Sequence, residues 1–163
     1  QCAQESYWSN VEHLRDSAGN RTHHFLEGGD PTKAMVLAQA LFKDLLVKYP
    51  VNKQQVYVGG LWMGGMGTFE IVRRNPKIFA AAFPICGGAA PETADKLKNV
   101  NWWVFHGAKD NAVPIAHSEV MVNALKQINA SVKFTVYPEA GHNSWDSAFA
   151  EPELLSWLFS QKK

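Results

Sequence analysis

The chain has 163 residues, of which 46% are hydrophobic and 19% are charged, and its formal net charge is +1. This size and composition predict one domain, residues 1–163, around a single hydrophobic core. The balanced charge gives no reason to expect nucleic acid or an anionic membrane as a partner, and no apolar run is long enough to cross a bilayer, so we expect a soluble protein.

Neither the start of the chain nor its cysteines indicate a cellular compartment. The first residue is Gln1 and no signal-like stretch follows it, so we expect the native start to be missing. Cys2 and Cys86 are too few for a disulfide framework, and isolated thiols are commonly buried small apolar groups. The localisation and the redox state of both thiols stay open.

Residues 6–30 show neither strand nor helix periodicity, which predicts a long surface segment with one helical turn near residues 11–14. Its adjacent histidines, His23 and His24, point in different directions in most backbones and have no Cys or carboxylate at ligand spacing. We therefore interpret them as surface residues rather than as a metal site.

A helix is predicted from Asp30-Pro31 to about Tyr49. Aspartate is a good helix cap, and proline is tolerated at the first helical position, where its missing N–H has no partner to lose. Apolar residues then recur every three or four positions and form one stripe, which consists of Ala34, Leu37, Ala38, Leu41, Phe42 and Leu45.

Residues 56–74 predict a strand, a sharp turn and a helix. Gly60 and Gly64 stand two residues before and two residues after Trp62. This is the spacing of a nucleophile elbow, where the chain reverses so tightly that only small neighbours avoid a clash. The glycines lack the register of a dinucleotide-binding turn, and Gly67-Thr68 lacks the lysine of a phosphate-binding loop. A strand-to-helix turn without chemistry is the alternative.

The rest of the chain repeats the alternation of strand and helix. Uninterrupted apolar runs at 79–86 and 102–107 predict strands that are buried on both faces, and the alternation at 132–137 predicts an edge strand. Helices are predicted at 91–98, at 114–129 and in a closing region that is interrupted at Pro152. The four strand–helix repeats predict a parallel sheet of about four strands flanked by helices.

Chemistry-bearing residues directly follow three of the predicted strands: Trp62, Asp110 and His142. Sites in parallel sheets form beyond the carboxyl ends of the strands, so we expect the three side chains to meet at one edge. Considered alone, Asp110 could be a turn or capping residue and His142 a surface residue. Their order along the chain, elbow, acid and histidine, instead favours nucleophilic acyl chemistry.

Three segments together resemble the α/β-hydrolase superfamily: Gly-Leu-Trp-Met-Gly-Gly-Met-Gly-Thr from residue 60, His106-Gly107 with Asp110 and Val113-Pro114, and Gly141-His142-Asn143 followed by Trp145. The resembled branch contains esterases, phospholipases and carboxylesterases related to polyhydroxybutyrate depolymerases and dienelactone hydrolases. It implies the C-terminal half of an α/β-hydrolase fold, with Asp110 and His142 as acid and histidine and the Met63 backbone amide as an oxyanion donor. It also implies a small ester or aromatic acid as ligand, no cofactor and no metal. His106 and His117 match no triad position, and we interpret them as structural.

Trp62 stands where that branch has serine. An indole cannot attack a carbonyl, because its nitrogen is a donor without an accessible lone pair. Three hypotheses stay open: an inactive or strongly impaired hydrolase, a non-catalytic binding or scaffold module, and a variant of an active serine esterase. Cys86 is a possible substitute nucleophile, but a buried structural thiol is the favoured interpretation. A bulky residue at the elbow also predicts either backbone strain or a relaxed turn.

The same resemblance implies that the strands preceding Gln1 are absent and that residues 1–5 are the tail of the last of them. The elbow strand would then have an unpaired apolar edge, and such an edge invites pairing with another chain. We expect this edge to be closed by self-association into a homo-oligomer or by a further N-terminal segment.

Overall fold

The computed structural model describes residues 6–15, 17, 19 and 21–163. In these residues a β-hairpin precedes an alternation of strands and helices. The hairpin strands are β1 Val11–Arg15 and β2 Arg21–Phe25; the later strands are β3 Tyr57–Leu61, β4 Ala81–Ile85, β5 Asn101–Gly107 and β6 Val132–Tyr137. The helices are α1 Lys33–Lys48, α2 Met63–Arg74, a 3₁₀ helix Pro91–Lys96, α3 Ala116–Gln127, α4 Trp145–Phe149 and α5 Leu154–Ser160. The predicted tail at residues 1–5 lies outside the described residues.

The four later strands form one parallel sheet in the order β3-β4-β5-β6, which confirms the predicted fold class. The middle of strand β5, residues 102–105, illustrates why a strand of such a sheet is apolar without alternation. Trp102 and Val104 pack on one face of the sheet with α2 and α3, whereas Trp103 and Phe105 pack on the other face with α5. Because both faces of the strand are covered, residues 102–105 are apolar on both sides of the sheet.

The hairpin shows that the prediction for residues 6–30 was wrong, since these residues form two paired strands rather than a long loop with a helical turn. Its cross-strand contacts are aromatic. The ring of His13 lies 5.0 Å from that of His23 on the facing strand and 4.7 Å from that of Tyr7. Such pairs stabilise a hairpin without the alternation of aliphatic and polar residues that identifies most strands. His24 is exposed and pairs with Glu12.

Helix α1 begins two residues later than predicted. Thr32, not Asp30, is the cap, and its side-chain oxygen accepts a hydrogen bond from the Met35 amide at 3.1 Å. The predicted apolar stripe is also only half buried. Ala34 is buried, and Ala38 and Phe42 pack against the core, but the remaining row faces outward: Leu37 (71% exposed), Leu41 (61%) and Leu45 (41%).

Within the described ranges, β3 and β6 are the edge strands of the sheet. The position of β6 confirms the predicted edge strand. Strand β3, which leads into the turn at Trp62, pairs only with β4 in the described part of the chain. Among the described residues, no helix is both long and apolar enough to span a bilayer.

Helix α2 lies unusually close to the carboxyl ends of the strands. A Cβ atom on Gly65 would lie 2.4 Å from the carbonyl oxygen of Ile85 and 3.1 Å from the Cα of Gly87. Both neighbours are backbone atoms, so they cannot move aside as a flexible side chain could. Gly64, the preceding residue of the same helix, has no such neighbour within 4 Å. Close packing of α2 on the sheet therefore depends on Gly65.

These two glycines provide a matched pair. We expect Gly65→Ala to lower the free energy of unfolding by about 2 kcal/mol or more, because the new methyl group overpacks the contact with β4. Gly64→Ala should instead raise it by up to ~1 kcal/mol, because alanine is the better helix former. Urea denaturation of both variants tests this, and equal effects at the two positions would contradict it.

Candidate active site

The turn at Trp62 joins β3 to α2, as predicted, and its backbone is strained. Trp62 has φ 53° and ψ −119°, a region that side-chain-bearing residues rarely adopt. Its N–H donates to the Ile85 carbonyl at 3.0 Å, and its carbonyl accepts from the Met66 amide at 3.1 Å. The bulky indole has therefore not relaxed the turn. Gly60 must be small, because a Cβ there would lie 2.4 Å from the Gly64 carbonyl oxygen.

Asp110 and His142 lie on the loops after β5 and β6, and the structure brings them into contact. The Asp110 side chain is fully buried, and its Oδ1 accepts hydrogen bonds from the amides of Ala112 (2.9 Å) and Val113 (2.8 Å). Its Oδ2 lies 2.9 Å from Nδ1 of His142. Two backbone donors thus hold the carboxylate in the orientation in which it binds the imidazole.

The imidazole of His142 lies between two indoles. The Trp62 ring is 5.4 Å from it at an interplanar angle of 89°, and the Trp145 ring is 5.2 Å away at 83°. Nε2 of His142 is buried and has no hydrogen-bond partner among the described residues. Trp62 itself is 44% exposed. The three predicted site residues therefore meet at one edge of the sheet, with the indole beside the imidazole.

His106 lies behind Asp110, with its Nε2 3.5 Å from Oδ2 of the carboxylate. Its Nε2 also lies 2.9 Å from the Val113 carbonyl, which can only accept, and its Nδ1 lies 2.7 Å from the Ser118 hydroxyl. Burial lowers the pKa of His106 below its ordinary value, although the Val113 carbonyl and Asp110 act in the opposite direction. A neutral ring here tethers the Asp110 loop to α3, which supports the structural interpretation of His106.

The second histidine that we interpreted as structural, His117, joins the hairpin to α3. Its ring lies 5.5 Å from that of His23 and 5.3 Å from that of Phe25. Burial, followed by the nearby His106, lowers the pKa of His117. His23 is therefore half-buried in this ring contact.

Cys86 lies beside the site, at the end of the strand that neighbours the elbow strand. It follows β4 with φ 41° and is fully buried. Burial raises the pKa of its thiol to about 12; the Trp62 amide counteracts this and the Asp110 charge adds to it. The thiol is therefore protonated at neutral pH, as expected of a structural cysteine. Its sulfur, a carboxylate oxygen of Asp110 and a nitrogen of His142 all lie within 4.8 Å of one another.

A cleft of about 560 Å³ runs along the β3 edge and ends at the turn. Its lining is apolar and largely aromatic: Trp8, Gly59, Gly60, Leu61, Trp62, Met63, Gly64, Phe83 and Phe149. Met63 is the first residue of α2, so its amide has no acceptor within the helix and is oriented as a donor at the helix N-terminus. Trp8, Phe83 and Phe149 come from distant parts of the chain, and no local motif pointed to them.

The comparisons with known proteins agree with this geometry. The sequence model of the dienelactone hydrolase family matches residues 13–153. A crystal structure of a thermostable esterase has a TM-score of 0.78 and 33% identity, and the match covers 82% of this chain and 38% of that chain. Arabidopsis thaliana SOBER1 shares the fold with a TM-score of 0.66 at 19% identity, covering 93% of this chain and 72% of that chain.

A shorter sequence match points the same way. Over 37 residues, the chain is 49% identical to a Yersinia pestis protein provisionally named a carboxymethylenebutenolidase. That match covers 23% of this chain and 14% of the other protein. The matched parts of the chain thus cover 14% of the Yersinia protein and 38% of the thermostable esterase, which is less than two thirds of either.

The backbone strain at Trp62 can be measured with two substitutions. Trp62→Gly and Trp62→Ala both remove the indole, but only alanine keeps the Cβ atom that disfavours φ 53°. We expect the glycine variant to be more stable than the alanine variant by about 1 kcal/mol or more in urea denaturation. At an unstrained position the alanine variant would be the more stable of the two. A more stable alanine variant would therefore contradict the conclusion that the backbone at position 62 is strained.

Proposed function

Because the chain belongs to the dienelactone hydrolase family, we propose that it is a carboxylic-ester hydrolase module whose nucleophile position is Trp62 and which is inactive or strongly impaired in this form. One observation carries the proposal. The elbow backbone is retained at Trp62, and the imidazole beside its indole is hydrogen-bonded to a buried carboxylate.

The proposed roles follow from this geometry. In a triad, the acid binds one histidine nitrogen, and the other nitrogen takes the proton of the nucleophile. Asp110 binds Nδ1 of His142, which leaves the unpartnered Nε2 for the residue at position 62. A serine hydroxyl there could give its proton to Nε2 as it attacks an ester carbonyl. The Met63 amide, at the start of α2, is the proposed donor to the oxyanion.

Trp62 removes the nucleophile from this arrangement. Its only polar group is an N–H donor, which cannot attack a carbonyl and has no proton that a neutral imidazole could take. When a triad nucleophile is lost, a hydrolase retains at most about 10³–10⁴-fold acceleration over water, and that remainder depends on the oxyanion donors and on substrate binding. We therefore propose that His142 and Asp110 are the intact part of a catalytic site that lacks a nucleophile for them to activate.

A binding role without turnover is the second candidate function. It is favoured by the apolar cleft, whose lining contains no charged side chain among the described residues, and by the exposed indole of Trp62 at its end. We propose a small ester or an aromatic acid as the ligand. Aromatic walls are suited to the planar apolar group of either, and an ester also avoids the cost of placing a charge in an apolar cleft.

We also propose that self-association covers the β3 edge. Alternate β3 residues carry backbone groups that point away from β4, and an exposed strand edge of this kind is a template for pairing with another chain. The apolar cleft lies along the same edge. A second copy would therefore bury the apolar surface and, at the same time, form hydrogen bonds with the backbone groups of β3. A further N-terminal segment that occupies the edge is the competing outcome.

The hydrolase proposal predicts that one substitution creates activity. We expect Trp62→Ser to hydrolyse p-nitrophenyl acetate at least ~10³-fold faster than the parent chain, because serine supplies the missing hydroxyl at the elbow. The matched control is Trp62→Ala, which clears the same space without a hydroxyl. Adding His142→Ala to the Trp62→Ser chain should abolish the gain.

Equal rates for the serine and alanine variants would contradict the proposed roles. If Trp62→Ser folds normally but stays inactive, the result favours the binding module. A parent chain that already turns over at the rate of an ordinary esterase would show that position 62 is not the nucleophile position.

The edge proposal predicts concentration-dependent association in sedimentation velocity. Phe149→Lys places a charge in the cleft along the edge and should favour the monomer, whereas Val47→Lys adds the same charge at an 85% exposed position on α1 and should behave like the parent. A parent chain that stays monomeric up to high micromolar concentration would contradict the proposal.

A further inference from the structure

Three residues at the site form a donor set of which the proposed hydrolytic roles use only two. Cys86 follows β4, Asp110 follows β5 and His142 follows β6, so neighbouring strand ends contribute one sulfur, one oxygen and one nitrogen. These atoms lie within 4.8 Å of one another. The proposed hydrolytic roles account for Asp110 and His142, but they give no reason for a cysteine to face both.

The chemistry of this set matches a thiophilic divalent cation. Zn²⁺ binds thiolate sulfur at about 2.3 Å, imidazole nitrogen at about 2.0–2.1 Å and carboxylate oxygen at about 2.0–2.2 Å. In tetrahedral geometry these bonds place the donors roughly 3.3–3.6 Å apart. The contact between Oδ2 of Asp110 and Nδ1 of His142, at 2.9 Å, would have to widen slightly, and the Cys86 sulfur, which lies within 4.8 Å of both donors, would have to approach by about 1 Å. His142, whose side chain is 25% exposed, is the member with room to move.

The surroundings also suit an ion. The amides of Ala112 and Val113 already bind Oδ1 of Asp110, which fixes the carboxylate, and the donor to the ion would be Oδ2, the oxygen that contacts His142. One thiolate and one carboxylate balance the two positive charges of the ion, so the complex itself is neutral, as suits a buried site. The imidazole of His142 can bind the ion through Nδ1 or through Nε2, because Nε2 has no hydrogen-bond partner among the described residues.

We propose that Cys86, Asp110 and His142 bind one thiophilic divalent cation of the Zn²⁺ class, with the fourth position left to solvent. On binding, the ion forms one bond to each donor and the Cys86 thiol loses its proton to solvent. The bound ion withdraws His142 and Asp110 from proton transfer, so it opposes the hydrolytic role of the same pair. This inference is independent of hydrolysis and can be tested in the chain that carries Trp62.

Co²⁺ is the probe, because its absorption reports both thiolate ligation and coordination number. The titration uses the Cys2→Ser chain, in which Cys86 is the remaining thiol. We expect one Co²⁺ per chain, a sulfur-to-cobalt charge-transfer band, the intense d–d bands of four-coordinate cobalt, and displacement by one equivalent of Zn²⁺. Adding Cys86→Ser should remove the charge-transfer band, and adding His142→Gln should weaken binding at least ~10-fold.

The matched control is His24→Ala, which removes an exposed histidine on the hairpin and should bind Co²⁺ like its parent. Circular dichroism establishes that each variant folds, and the rise in Tm that Zn²⁺ causes gives a second readout, expected in the Cys2→Ser chain and absent after His142→Gln. No charge-transfer band in the Cys2→Ser chain, or the same band after Cys86→Ser, would overturn the inference. Loss of binding in His24→Ala would place the metal elsewhere and would also overturn it.

Discussion

The close approach of helix α2 to the carboxyl ends of the strands is the constraint on which the site depends. The helix can begin immediately after β3 only because Gly65 and Gly87 leave room for backbone to lie against backbone. The hydrogen bond from the Trp62 amide to Ile85 then fixes the turn to the neighbouring strand. Position 62 is thereby held at the carboxyl-terminal edge of the sheet, whichever side chain it carries.

The acid and the histidine are held by a different set of forces. Asp110 is buried, and a buried carboxylate is stable only when donors surround it. Two backbone amides, His142 and the nearby His106 supply that environment. These contacts therefore hold the pair without a hydrogen bond from Nε2 of His142 to the side chain at position 62. Under the proposed function, they would orient a nucleophile that this chain lacks.

Most of the sheet could be predicted because its sequence reports burial directly. Strands β4 and β5 are apolar on both faces since helices cover both faces, and strand-end positions then bring Trp62, Asp110 and His142 together. The hairpin could not be predicted in this way, because rings such as His13 and His23 pair across it. Helix periodicity likewise identified the apolar residues of α1, but it could not say that the row at Leu37 faces outward. The proximity of Cys86 to the other site residues is a tertiary property, although its place after β4 was a usable signal.

The strand order has a consequence for how the chain reaches this structure. Each strand of the parallel sheet pairs with the strand that comes next in the sequence, and one crossover separates them. Closing such short loops costs less chain entropy than pairing strands from opposite ends of a domain, so the sheet can grow from β3 to β6 by successive local additions. During synthesis, the turn at residue 62 would be in place before the acid and histidine loops have emerged.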